Sequence, residues 1–212
     1  MSLSLPPVVT VVGVIVLVPG LGVAQRYFDR LARELDDELL RPTLDQPASI
    51  GALADGLESH VPGASVVVAH SLGCQVATVL AVRRPELLER LVLIGPTVDP
   101  RARSFVRQAL RLALDAWYEP PSLVATVVRE YVRHGSVRQG RYAVSDRIEE
   151  RLPLVAAPTV VVRGANDPIC PAAWARTAAD LLPAGRLVTI AGAGHAAHAS
   201  HPREVAEIVT RG

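Results

Sequence analysis

Short, unbroken runs of Val, Ile and Leu alternate along this chain with stretches in which apolar residues recur every three or four positions. The runs fall at 14–18, 66–69, 91–94, 159–162 and 187–190. Each is too short for a helix and rich in β-branched residues, so each reads as a buried strand. Leu39–Leu44 is a weaker sixth candidate. Helical spacing occupies 25–35, 48–59, 72–83, 172–182 and 202–211. Continuous apolar strands interleaved with helices predict a doubly wound α/β domain, a mostly parallel sheet covered on both faces.

One stretch breaks this alternation. Between Asp99 and Leu152 there is no strand candidate, only helical patterns divided by "EPP" (119–121) and by the "HGS" and "QG" breaks of 134–140. A structureless loop of that length is implausible in a compact domain. The segment is therefore expected to be a helical cap, 99–152, inserted over the carboxyl edge of a sheet built from 1–98 and 153–212, in one domain overall.

Composition narrows the classes of function. A length of 212 residues suits one domain with an ample core. The net charge of +1 gives no overall field for nucleic acid or anionic membrane, and 4% aromatic residues without a dense basic run disfavour nucleic-acid binding. All the basic residues are arginine. Residues 8–18 are apolar but far short of a bilayer span, and no basic residue precedes them, so they read as a buried strand rather than a signal peptide and the protein as cytoplasmic. Cys74 and Cys170 are too few for a disulfide scaffold and read as small buried hydrophobes. Neither metal-ligand spacing nor a dinucleotide or phosphate-binding glycine motif occurs, so no metal and no cofactor is expected.

The strongest chemical signal is "VVVAHSLGCQVA" (66–77), a buried strand that turns directly into a helix at Ser71. Ligands of parallel sheets bind outside the carboxyl ends of the strands, and a serine on such a sharp turn is lifted into that crevice at a helix N-terminus. Ala69 and Gly73 supply the small residues of a nucleophile elbow, with alanine where glycine is usual. The plain alternative is a serine capping a helix. A serine nucleophile needs a base oriented by an acid. Asp167, in the loop after 159–162, and His195, in the loop after 187–190, lie at the same sheet edge as Ser71 and follow it in chain order. Asp99 competes for the acid role, and His198 and His201 for the base. His198 is expected to be a polar neighbour or solvent-facing, and His70 either lines the pocket or packs at the elbow. The glycine-rich "PGLG" after the first strand offers a backbone N–H, so Leu21 and Leu72 are the expected oxyanion donors.

These motifs in this order resemble the α/β-hydrolase fold family, over nearly the whole chain: "PGLG", "AHSLG", "VVVRGANDPICP" and "GAGHAAHASHP". The resemblance implies a Ser–His–Asp triad on a sheet of up to eight strands, with a cap inserted before the strand carrying the acid. Pro19 stands where the family often has histidine, and the short N-terminus implies a trimmed sheet of six or seven strands. The implied activity is a serine hydrolase acting on a carboxylic ester, thioester or lactone through an acyl-enzyme. A lyase, cyclase or acyltransferase would use the same site, and a non-catalytic binding module the same fold. A small-molecule acyl substrate is implied. Residues 101–151 hold ten arginines against six acids. Arg103, Arg107 and Arg111 share one helix face, with Phe105, Leu110, Leu112, Leu114 and Trp117 turned to the sheet or pocket. The plain reading is a solvated arginine face on an ordinary amphipathic cap; the sharper one is a cap that attracts an anionic substrate or an acidic acyl-carrier partner.

Overall fold

Period-two burial decides which side of the sheet each strand residue faces. Along β1 (Ile15–Val18), Ile15 and Leu17 join one core cluster while Val16 and Val18 join the other. All residues of β1, β3 (Ser65–His70) and β5 (Thr159–Gly164) are buried, as strands covered on both faces require. The computed structural model describes residues 13–20, 25–43, 49–134 and 137–211. Among these, β2 (Leu39–Leu40), β4 (Leu88–Ile94) and β6 (Gly185–Ile190) complete a six-stranded, wholly parallel sheet in the order β2-β1-β3-β4-β5-β6.

Two helical layers enclose it. Helices α2 (Ile50–Glu58), α3 (Leu72–Arg83) and α8 (Ala172–Leu181) pack Leu53, Leu57, Val76, Leu80 and Trp174 against one face. On the other face, α1 (Asp29–Ala32) and α9 (Pro202–Arg211) contribute Leu31, Val205 and Val209 beside Phe28. Each such side chain contributes about 1.5–3 kcal/mol by leaving water. Of the weaker candidate 39–44, only Leu39–Leu40 pair as a strand among the described residues, and Leu44 lies outside them. The pattern at 25–35 yields a 3₁₀ turn, Gln25–Phe28, running into the short α1.

The segment between β4 and β5 is helical: α4 (Phe105–Asp115), α5 (Pro121–His134), α6 (Val137–Ser145) and α7 (Ile148–Arg151), bounded by 3₁₀ turns at Pro100–Ala102 and Leu152–Leu154. Two expectations about α4 fail. Phe105, Leu110, Leu112, Leu114 and Trp117 face solvent rather than the sheet or a pocket. The three arginines do not form one free face either. Arg103 precedes the helix and forks onto Glu149 with two bonds of 2.6 Å, Arg111 donates to Asp99, and only Arg107 is exposed. Side chains on the neighbouring turns offered these arginines carboxylates, which helical spacing cannot foresee.

Pairing places the carboxyl ends of the strands in one row. His70 is opposite Ile94, Ile94 opposite Val162, and Gly164 opposite Ile190. The loops that follow carry the candidate chemistry.

Candidate functional site

Ser71 joins β3 to α3 in a conformation (φ 53°, ψ −118°) that a residue with a side chain adopts only under constraint. The constraint is close packing. A Cβ on Gly73 would lie 2.6 Å from the carbonyl oxygens of both Val18 and Pro19, so only glycine lets α3 begin against the end of β1. The Ser71 N–H donates to Ile94 O at 2.9 Å, fixing the turn to β4. Leu72 opens α3, where backbone N–H groups lack intrahelical acceptors. Leu21, the other expected oxyanion donor, lies outside the described residues, whereas Gly20 beside it abuts His70 and Ser71.

Asp167 and His195 meet directly. Nδ1 of His195 is 2.9 Å from Asp167 Oδ2, while Asp167 Oδ1 accepts from the Ile169 and Cys170 N–H groups, each at 2.8 Å. Burial alone would raise the Asp167 carboxyl; the charge and hydrogen bond of His195, with the two amides, outweigh it and hold the group below the usual aspartate value. Burial likewise opposes the imidazolium of His195, but Asp167, then Asp115 and Glu119, raise its pKa above the ordinary histidine value. The remaining nitrogen, His195 Nε2, is buried without a hydrogen-bond partner. Gly95 follows the Ile94 carbonyl that holds Ser71. A Cβ there would come within 2.8 Å of the His195 ring and 3.3 Å of Asp167 Oδ2, and its φ is +55°. The end of β4 thus separates the Ser71 turn from the His195–Asp167 pair by one close-packed glycine. Ser71 and His195 flank it without a hydrogen bond between them.

The competing residues sit elsewhere or serve packing. Asp99 caps the Pro100–Ala102 turn through the Arg101 N–H and pairs with Arg111 at 3.2 Å. His201 meets Ser200 Oγ. His198 does not face solvent: it is a fully buried neighbour of the site, both ring nitrogens lack partners, and Tyr27, Phe28 and His70 enclose it. Burial, reinforced by His195, drives its pKa down to about 3. His70 packs at the elbow, its ring 4.7 Å from that of His195, and burial lowers its pKa well below the usual value. Both rings are neutral near pH 7. Cys74 and Cys170 are buried thiols whose pKa values burial pushes well up.

Two residues of the helical segment join the site although sequence reasoning missed them. Asp115 Oδ1 accepts from the His195 N–H at 2.8 Å, and Glu119 Oε1 from the Ala196 N–H at 2.7 Å. Gly194 makes this approach possible, since a Cβ there would lie 2.6 Å from Glu119 Oε1 and 3.0 Å from Asp115 Oδ1. Burial raises both carboxyls, Glu119 to about 7 with help from Asp115. Their i, i+4 spacing was the one available signal, and it reads equally as a solvated helix edge.

Among the described residues no cluster suited to a metal ion occurs, and no helix is long and apolar enough to cross a membrane.

A parallel sheet with an elbow serine and an acid–histidine pair at its carboxyl edge defines a hydrolase-like α/β architecture. The chain belongs to the alpha/beta hydrolase family, whose model matches residues 15–208. It is 32% identical over 126 residues to the pimeloyl-[acyl-carrier protein] methyl ester esterase of Xanthomonas oryzae pv. oryzae (strain MAFF 311018), covering 58% of this chain and 44% of that protein. The enzyme of the same name from Aromatoleum aromaticum is 27% identical over 206 residues, with 79% of each covered. The chain thus spans less than half the length of the Xanthomonas relative. In fold, it resembles a thermophilic esterase from Thermogutta terrifontis, with a TM-score of 0.74 at 19% identity, covering 94% of this chain and 88% of that one.

Proposed function

We propose that this protein is a serine hydrolase that cleaves a carboxylic ester, thioester or lactone through an acyl-enzyme. The observation that carries this reading is the His195–Asp167 pair, with Nε2 left unpartnered in a buried site beside the strained turn of Ser71. In the mechanism, His195 Nε2 takes the proton of Ser71 Oγ as the oxygen attacks the acyl carbonyl. Asp167 keeps Nδ1 protonated and stabilises the imidazolium that forms. The Leu72 amide and one from the 19–22 loop, assigned to Leu21, receive the oxyanion. His195 gives its proton to the departing alkoxide or thiolate, then takes one from the water that attacks the acyl-enzyme and returns it to Ser71 Oγ as the acid is released. Residues 99–152 act as a cap whose Asp115 and Glu119 hold the His195 loop.

The named relatives act on a carrier-linked methyl ester, which makes such an ester, and an acidic carrier partner, part of the proposal. The test labels purified protein with a fluorophosphonate, maps the adduct, and assays neutral esters, thioesters, lactones and a carrier-bound methyl ester. Labelling at Ser71 with turnover of at least one class is expected. Near-wild-type turnover by Ser71→Ala would refute the assignment.

A further inference from the structure

Helix α4 turns its polar edge to the protein and its apolar face to solvent. Gln108, Arg111 and Asp115, at i, i+3 and i+7, form the inward edge. They bond to Ala102 O at 2.8 Å, to Asp99 Oδ2 at 3.2 Å and to the His195 N–H at 2.8 Å. The other residues of the helix are exposed: Val106 is 66% exposed and Leu110 61%, and Trp117, just past its end, is 87% exposed. Helix α5 buries Leu123 but adds Val128 and Val132, at i, i+4, to the exposed apolar surface, the latter 81% exposed. An amphipathic helix of a globular protein ordinarily buries the face that α4 exposes. Apolar side chains displayed in series mark a surface that something covers.

Charge identifies the cover. Of the ten arginines between 101 and 151, seven are exposed. Of the six acids, Asp115, Glu119 and Glu130 are buried, Asp146 and Glu149 are half-buried in pairs with Arg151 and Arg103, and Glu150 alone is exposed. The outward surface of this segment is therefore apolar and cationic at once, although the chain's net charge is only +1. A second copy would oppose like charges. A folded acidic protein would answer the arginines yet leave Leu110, Leu114 and Trp117 facing a polar surface. An anionic bilayer answers both, with headgroups for the guanidinium groups and the acyl boundary for the apolar face.

We propose that the α4–α5 face seats the protein peripherally on an anionic lipid bilayer. The helix lies in the plane of the interface, with the Trp117 indole at headgroup level. Seating is a property of this face alone. Only its consequence, delivery of a lipophilic ester to a site whose histidine loop α4 holds, rests on the function proposed above.

The test measures cosedimentation and tryptophan emission with phosphatidylcholine vesicles, with and without phosphatidylglycerol. Trp117 and Trp174 are the two tryptophans, and Trp174 is buried with Nε1 bonded to Pro96 O at 2.8 Å, so a blue shift and quenching by brominated lipid report Trp117. Binding is expected to be about ten-fold or more tighter with the anionic lipid and to weaken with salt. Arg107→Gln and Arg133→Gln should each weaken it about five-fold. Leu110→Glu with Leu114→Glu should abolish it with circular dichroism unchanged, while Ser71→Ala binds as the wild type does. Loss of esterase activity in Ser71→Ala with vesicle binding retained therefore separates this proposal from the catalytic one. Three results would overturn it. One is no binding to anionic vesicles at low salt, or binding without Trp117 quenching. Another is self-association that the glutamate pair abolishes, without vesicle binding. The third is an acidic carrier protein, not vesicles, captured by the same face.

Discussion

Replacing Glu119 with glutamine separates the hydrogen bond this residue makes from the charge it carries. The amide oxygen can still receive the Ala196 N–H, now accepted at 2.7 Å, so the loop holding His195 keeps its anchor. Ionisation is what the variant loses. Burial first, then Asp115 and Asp167, push the Glu119 carboxyl from 4.5 to about 7, against the lowering by the Ala196 N–H and His195. Between those two values the folded protein holds a proton that the unfolded chain has released, so stability falls as pH rises. A displacement of that size costs on the order of 3 kcal/mol once the pH is above both values. The glutamine variant escapes this loss, less about 1 kcal/mol for an amide N–H left without an acceptor. It should be more stable than wild type by about 2 kcal/mol in mildly alkaline solution, with the advantage vanishing in mild acid. Urea unfolding across that pH range measures it. The same substitution removes one of the charges that raise His195. The acid limb of kcat/KM should therefore move to lower pH, as the free base becomes available earlier. A variant whose stability falls with pH as steeply as wild type, or whose acid limb moves up, would refute the reasoning.

Other consequences can be measured separately. Asp167→Asn should lower kcat by about 10⁴-fold, as in other triads, while Asp99→Asn changes it little, because Asp99 pairs with Arg111 rather than His195. In thermal melts, Gly73→Ala should destabilise the fold by about 1–3 kcal/mol or more, since its Cβ meets backbone carbonyls at 2.6 Å that cannot swing away. His198 stays neutral in the fold down to about pH 3, whereas the unfolded chain protonates below its ordinary value of 6.5. It therefore withdraws stability as pH falls through that window, by on the order of 5 kcal/mol. In denaturant titrations, His198→Phe should flatten the acid limb and leave stability near pH 7 almost unchanged.

The sheet was legible because its strands are buried on both faces. Val66, Val67 and Val68 fill both cores at once, so the run is uninterrupted and no helix of that length competes. Leu39–Leu40 was legible only as a weak candidate: a two-residue edge strand has one neighbour and little pattern. The elbow was legible because its demands are local, a serine that takes positive φ and a glycine two residues on where α3 meets the carbonyls of β1. Asp167 and His195 followed from their places at strand ends, since parallel strands must deliver their loops to one edge.

What stayed hidden depends on which way a helix faces. The pattern of α4 predicts an amphipathic helix correctly, and the usual rule then sends Leu110 and Trp117 inward. The rule fails here because the polar edge has stronger business with the core. Asp115 finds the His195 N–H, which the strand-to-helix loop leaves without a backbone partner, and Arg111 finds Asp99. A backbone donor buried without an acceptor costs about 1–3 kcal/mol, comparable to burying one leucine, and Asp115 and Glu119 together answer two such donors. Those donors belong to residues some eighty positions downstream in sequence. Periodicity within α4 carries no trace of them, and so the polar stripe looked like the solvent side when it was the side that holds the site.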